Sequence, residues 1–211
     1  MKLRLTISLP CYKRPERTKR SIECILAQDI DGWEAFINGD GCSDFQQLID
    51  SGYLEDTAKR AAERGNIIHY MNFPQNSGGY GYALTNFAIQ NASGKYIIFY
   101  ANDDIIFPNH FRNYLEIENY PELDFMYFNS WVDCVKSIRD SSLNFTHVGH
   151  SEIIVKTELA KTITPHSTEY GHDWNFVKEV IEKGKGQKSQ YNECTYKVMH
   201  VPGIGTNDVI D

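Results

Sequence analysis

The sequence lacks a C-x-x-C pair, an apolar run long enough to cross a bilayer, an internal repeat and any low-complexity segment. Each absence removes a class of protein. Cys11, Cys24, Cys42, Cys134 and Cys194 are odd in number and scattered, which argues against a zinc site or a dithiol redox couple and suits a reducing compartment such as the cytoplasm. A membrane span needs about 20 predominantly apolar residues, and none of the stretches here supplies them. The amino end, MKLRLTISLP, alternates rather than joining a basic segment to an apolar one, so it does not read as a signal peptide. Positive charge is scarce: 21 Lys and Arg stand against 28 Asp and Glu, a formal net charge of −7. That balance argues against nucleic acid as a partner and obliges any phosphate ligand to find a local cation or oriented backbone amides. Gly78, Gly79 and Gly81 miss the G-x-G-x-x-G spacing, and the Walker pattern is absent, which counts against a dinucleotide dehydrogenase or a P-loop NTPase.

What is present is globular. Hydrophobic residues make up 41% of the 211 positions and aromatics 13%, enough for a sizeable core in a chain of this length. Leu3, Leu5, Ile7 and Leu9 alternate with polar residues as in a strand closed by Pro10. Pro15 then suits a first helical turn, with Ile22, Ile25 and Leu26 at helical spacing. A second strand is expected over 33–37, a charged helix over 46–64 ended by Gly65, and a third strand over NIIHYMNF. A helix over 83–92 leads into the strand of GKYIIFY. This βαβαβαβ order predicts an α/β fold with right-handed crossovers and a mostly parallel, Rossmann-like sheet over residues 1–107. Residues 108–211 predict a smaller mixed half within the same domain. It holds a helix over 109–118, an aromatic strand LDFMYFNSW, the run SEIIVK, a helix over 174–183, a polar loop over 183–190 and a closing strand YKVMHV. The turn-rich end, VPGIGTNDVID, would suit a domain cut from a longer polypeptide.

The organising stretch is GKYIIFYANDDIIFP, in which Asp103 and Asp104 end a strand side by side. Adjacent carboxylates repel unless solvent, a proton or a cation intervenes, and an acidic tip at the carboxyl edge of an open α/β sheet is placed to hold a divalent metal and its anion. A solvated Asn/Asp turn is the plainer reading. Three loops, over 10–14, 38–44 and 76–82, are predicted to converge with Asn102, Asp103 and Asp104 at one sheet edge. Tyr12 offers a ring to a base or a packed aromatic; Asp40 offers an acceptor to a base N–H or an Asx-turn to its own loop. Gly78, Gly79 and Gly81 allow close backbone approach to an anion. Asp173 opens an apolar helix as a general base or as a helix cap, and His200 ends a strand as a metal ligand or an ordinary strand residue.

With these segments in hand, the chain resembles the nucleotide-sugar-dependent glycosyltransferases of family 2, which have the GT-A fold. TISLPCYKRPERTKRSIECILAQ resembles the family's opening strand, loop and helix, and INGDGCSD its acidic turn. NSGGYGYALTNFAIQNASGKYIIFYANDDIIFP resembles the run into its metal motif, and GHDWNFVKEVIEKG the helix start that bears its catalytic base. The resemblance implies Tyr12 and Asp40 against the nucleobase, with Pro10, Arg14, Asn76, Gly79, Asn102 and Asp103 completing the donor site. It also implies Asp104 and His200 at a Mn²⁺ or Mg²⁺ ion and Asp173 as the base. The sequence departs from the family pattern at Asn102, where Asp-x-Asp begins without a charge, and at Gly39, where a second Asp is common.

The implied reaction moves a sugar from a UDP- or dTDP-linked donor to an acceptor hydroxyl with inversion, the metal steadying the leaving diphosphate. The acceptor could bring the protein to a membrane, and further domains of a longer chain could accompany it. A nucleotidyltransferase, with Lys13 and Arg14 in its first loop, and a non-catalytic sugar-nucleotide or glycan-binding module are the alternatives.

Overall fold

The computed structural model describes residues 3–78, 81–163, 172–191 and 193–199. Four strands, β1 (Leu5–Cys11), β2 (Trp33–Gly39), β3 (Ile67–Asn72) and β4 (Tyr96–Phe99), form the parallel part of the main sheet. Between them run α1 (Pro15–Leu26), the pair α2 (Ser43–Asp50) and α3 (Tyr53–Glu63), and α4 (Tyr82–Asn91). The second half adds β5 (Ile105–Ile106), α5 (His110–Tyr114), β6 (Phe125–Tyr127), β7 (Ser130–Val132) and β8 (Ser137–Arg139). It closes with β9 (Ile153–Lys156), α6 (Thr157–Ala160), α7 (His172–Lys183), β10 (Gly186–Lys188) and β11 (Tyr196–Val198).

The seven-stranded sheet runs β10-β6-β9-β4-β1-β2-β3, with β9 antiparallel to both β4 and β6. A smaller sheet, β5-β11-β7-β8, sits beside it. β4 is apolar at every position because both faces are covered. Tyr96 and Ile98 face one core with Ile22 and Ile25 of α1 and Phe45 of α2, while Ile97 and Phe99 face another with Phe176 and Val180 of α7. Strand order reverses between β1 and β4, so the crevice outside their carboxyl ends is the topological switch point where such sheets take ligands.

Five expected features change. The helix over 46–64 is two helices, because Gly52 adopts φ 78° and no intact helix passes through a left-handed residue. The aromatic run after 122 divides between the two sheets: Phe128 leaves β6 to stack on Tyr114 at 4.0 Å, and β7 starts afresh at Ser130. The polar loop over 183–190 contributes β10, parallel to β6. The helix over 109–118 is shorter, with a 3₁₀ turn over Leu115–Asn119. Pro10 lies inside β1 rather than closing it, and Cys11 still pairs with Gly39.

Candidate functional site

The loops after β1, β2 and β3 and the acidic tip after β4 are knitted together pair by pair. Lys13 N–H donates to Cys42 Sγ at 3.3 Å, joining the first loop to the second. Asp40 joins the second to the third: Oδ1 accepts Ser77 N–H at 2.8 Å, and Oδ2 accepts Asn76 Nδ2 at 2.9 Å and Ser77 Oγ at 3.1 Å. Gly41, at φ 64°, lets the second loop lie directly on the Gln75–Asn76 backbone, a space that a Cβ would fill. Gly81 closes the ring, for a Cβ there would stand 2.8 Å from Pro10 Cβ. Arg14 Nη1 then reaches Asp103 Oδ2 at 3.3 Å, tying the first loop to the tip.

Lys13 and Arg14 both have positive φ, 53° and 54°, a conformation that costs non-glycine residues and recurs where function fixes the backbone. Tyr12 is 44% exposed, with Lys13 Nζ 5.1 Å from its ring centroid. Helix α1 holds the tip from below: Arg20 Nη2 donates to the Asp103 carbonyl at 3.0 Å, Ser21 Oγ to the Asn102 carbonyl at 3.1 Å, and Asn102 Nδ2 to Thr18 Oγ1 at 3.2 Å. Thr18, Arg20 and Ser21 of α1 therefore hold the tip in place.

The two tip carboxylates differ in surroundings. Asp103 faces Arg14. Asp104 is 1% exposed; its Oδ2 accepts the Tyr196 hydroxyl at 2.6 Å and its Oδ1 the Met199 N–H at 2.8 Å. Burial chiefly, and the Asp104 charge beside it, raise the Tyr196 phenol well above its usual pKa, so this hydroxyl keeps its proton. Asp104 thus fastens β11 to the tip, a role that a metal-ligand expectation did not include.

In the second half, Asp173 lies in the first turn of α7, and its Oδ1 accepts Trp174 N–H at 2.9 Å, a cap-like contact. A Cβ on Gly149 would stand 3.2 Å from Asp173 Oδ2 and 3.3 Å from Glu152 Oε2, so these two carboxylates approach the same point of the chain. Glu152 is buried and bonded to Ser130 Oγ, Gly149 N–H and the Arg139 guanidinium. Arg139 also lies within electrostatic reach of Asp104 and Asp173. It is one cation set among three carboxylates. Sequence reasoning missed Arg139 and Glu152 because nothing local distinguishes them; only the pairing of β7 with β8 brings Arg139 opposite Ser130. Gly79 and His200 lie outside the described residues.

The oxygen ligands at the tip are the hard donors that Mg²⁺ and Mn²⁺ take. Among the described residues there is no group of three or more His, Cys, Asp or Glu side chains that could hold a metal ion. A cage built wholly of protein is therefore not present in that part of the chain, whereas an ion shared between one carboxylate and a ligand's phosphates needs no such group.

The model of Glycosyl transferase family 2 matches residues 6–131. The chain belongs to that family. The match covers β1 through β7 and so contains all four tip segments. An uncharacterized glycosyltransferase of Rickettsia bellii is 31% identical over 115 residues, 54% of this chain and 15% of its own length. A Rickettsia conorii uncharacterized glycosyltransferase is also 31% identical over 115 residues, and the match covers 17% of it, so this chain spans less than a fifth of the length of either relative. Among solved structures, S. aureus TarS superposes with a TM-score of 0.76 at 14% identity, over 95% of this chain and 37% of TarS. A mannosyltransferase from Pyrobaculum calidifontis, in complex with GDP-Man and Mn²⁺, gives 0.70 at 14% identity, over 96% and 59%. Such similarity establishes the GT-A fold for this family 2 chain. No helix among the described residues is long and apolar enough to cross a membrane.

Proposed function

We propose that the chain transfers a sugar from a nucleoside-diphosphate donor, held at the four-segment tip, to an acceptor hydroxyl approached from Asp173. The observation that carries this reading is the closed set of links through Cys42, Asp40, Gly81 and Arg14, which brings every predicted donor-binding segment to the switch point. Residues 1–107 then act as the donor half and residues 108–211 as the acceptor half.

Each side chain has a chemical task. Tyr12 offers its exposed ring to the base. Asp40 Oδ1 accepts one hydrogen bond from protein and keeps a lone pair for a pyrimidine imide N–H, which favours a UDP or dTDP donor. TarS residues 1–349 have been solved with UDP and with UDP-GlcNAc, and the Pyrobaculum enzyme with GDP-Man, so the shared fold accommodates either kind of base. Arg14 sets a cation beside the diphosphate, and Pro10, Asn76, Gly79 and Asn102 shape the loops around it. Asp104, with Asp103 beside it, is the carboxylate suited to a Mn²⁺ or Mg²⁺ ion shared with the diphosphate, with His200 as a further ligand; Asp104 also anchors the tip to Tyr196. Such an ion would supply Lewis-acid stabilisation of the leaving diphosphate.

Asp173 takes the proton of the acceptor hydroxyl as that oxygen attacks the anomeric carbon, and the bond to the diphosphate breaks on the opposite face, giving inversion. Arg139 and Glu152 hold the local charge balance around it. The test is single-turnover release of nucleoside diphosphate from a panel of sugar donors, with and without Mn²⁺. Release that needs acceptor supports transfer. Glycan or nucleotide binding with no release across the panel would reduce the chain to a binding module, with Asp173 only capping α7.

A further inference from the structure

A groove of about 410 Å³ lies on the face of the sheet that α4 covers incompletely, and Asn38, where the second tip loop begins, is among its lining residues. Directly paired residues build it: Glu34 opposite Ile67, Phe36 opposite His69, and Asn38 opposite Met71. Helix α4 lies over β1 and β2, and Phe87 and Asn91 close one wall, while β3 is the edge strand of the sheet. Ile67 and Met71 consequently stand about two-fifths exposed, at 41% and 40%.

Three features define what the groove can hold. Asn38 lines it at 1% exposure, and neither its Nδ2 nor its Oδ1 has a hydrogen-bond partner. A buried amide without partners is uncommon and calls for a donor and an acceptor side by side. Glu34, 2% exposed, is already compensated: Oε1 accepts Thr6 Oγ1 at 2.7 Å, Ser93 N–H at 2.5 Å and Gly94 N–H at 3.1 Å, and His69 Nε2 stands 3.3 Å from Oε2. Both oxygens of Glu34 are thus engaged by the protein, and its carboxylate disfavours a ligand that is itself an anion. Its flank, from Ile67, Met71 and Phe87, is apolar, and such pockets with a few convergent polar groups are the usual form of small-ligand sites.

We propose that this groove is a second, non-catalytic sugar site that takes a neutral pyranose. Adjacent hydroxyls of a pyranose both donate and accept, which satisfies the two atoms of Asn38. The ring's C–H face lies against Ile67 and Met71, and an uncharged ligand avoids repulsion from the Glu34 carboxylate, whose oxygens are already engaged. That the sugar belongs to a glycan acceptor or product rests on the transferase reading; the chemistry of the groove does not.

The test is an NMR titration of the full chain, following backbone amides, with methyl glucoside, methyl galactoside, N-acetylglucosamine and cellobiose, and with glucuronate and glucosamine as charged controls. A neutral sugar is expected to shift the amides of 67–71 and 91–93 and to bind better than the charged controls. Asn38→Val, which suits a strand, should weaken binding roughly tenfold by removing two hydrogen bonds. Met71→Asp, on the exposed rim, should weaken it too while leaving nucleoside diphosphate release from a donor unchanged, so the groove and the tip fail or succeed separately. If no neutral sugar shifts these amides, if charged sugars bind equally, or if the rim variant binds as wild type, the proposal is overturned.

Discussion

The hydroxyl of Tyr196 donates to Asp104 Oδ2 at 2.6 Å across 92 residues of chain, so the acidic tip of the first half is held by a strand of the second. Tyr196→Phe removes this bond while keeping the ring packing against Tyr100 and His110. The buried carboxylate then loses one of its donors while Met199 N–H remains on Oδ1, and the expected cost is about 1–3 kcal/mol of unfolding free energy. Urea titration of the two proteins measures it; equal midpoints and slopes would show that the bond carries no stability.

Gly81 is where the third loop meets Pro10. At φ 80°, with a Cβ position 2.8 Å from Pro10 Cβ, Gly81→Ala must strain the backbone and push the first and third loops apart. A destabilisation of about 1–2 kcal/mol follows from the left-handed backbone alone. Donor affinity, measured by calorimetry, should fall as well. Gly65→Ala is the control: its φ is 77° but a Cβ there would meet nothing, so it should cost stability without touching donor affinity.

His110 is buried beneath β11 with Nδ1 3.0 Å from Thr195 Oγ1, and burial lowers its pKa from 6.5 to about 3. The unfolded chain therefore binds a proton that the folded chain refuses over that interval. The stability contribution is fully present above about pH 6.5 and is lost as pH falls toward 3, with a slope approaching about 1.4 kcal/mol per pH unit. His110→Asn removes the titration, and its unfolding free energy should fall less steeply with acid than that of the wild type. Parallel curves would contradict the buried neutral imidazole.

Asp173→Asn keeps an oxygen to accept the Trp174 N–H, and so preserves the cap-like contact while removing the base. Turnover should fall roughly a hundredfold or more, with donor affinity retained. Turnover close to the wild type would leave Asp173 as a helix cap. Because Asn serves both readings structurally, the rate alone separates them.

Much of the donor half is written locally. The alternation of Leu5, Ile7 and Leu9, the spacing of Ile22 and Ile25, and Pro15 at the start of α1 are short-range signals, and their elements appear where those signals stand. What escapes is set by partners far away. The break at Gly52 is masked by the polar and charged run on either side of it, although glycine is disfavoured inside a helix and its left-handed φ of 78° ends one here. Asp103 and Asp104 look equivalent in sequence; Tyr196 and Met199 make one of them a tether, and Arg14 gives the other a cation. Arg139 and Glu152 meet only because two short strands pair in a second sheet, a relation that no periodicity encodes.

The most direct test of the account is calorimetric titration of wild type and Asp103→Ala with UDP- and dTDP-sugars in the presence of Mn²⁺. The account predicts metal-dependent binding of a pyrimidine nucleotide sugar to the wild type and its loss in Asp103→Ala, with the variant's thermal unfolding unchanged. Binding that survives the substitution, or a folded wild type that binds no nucleotide sugar, would contradict it.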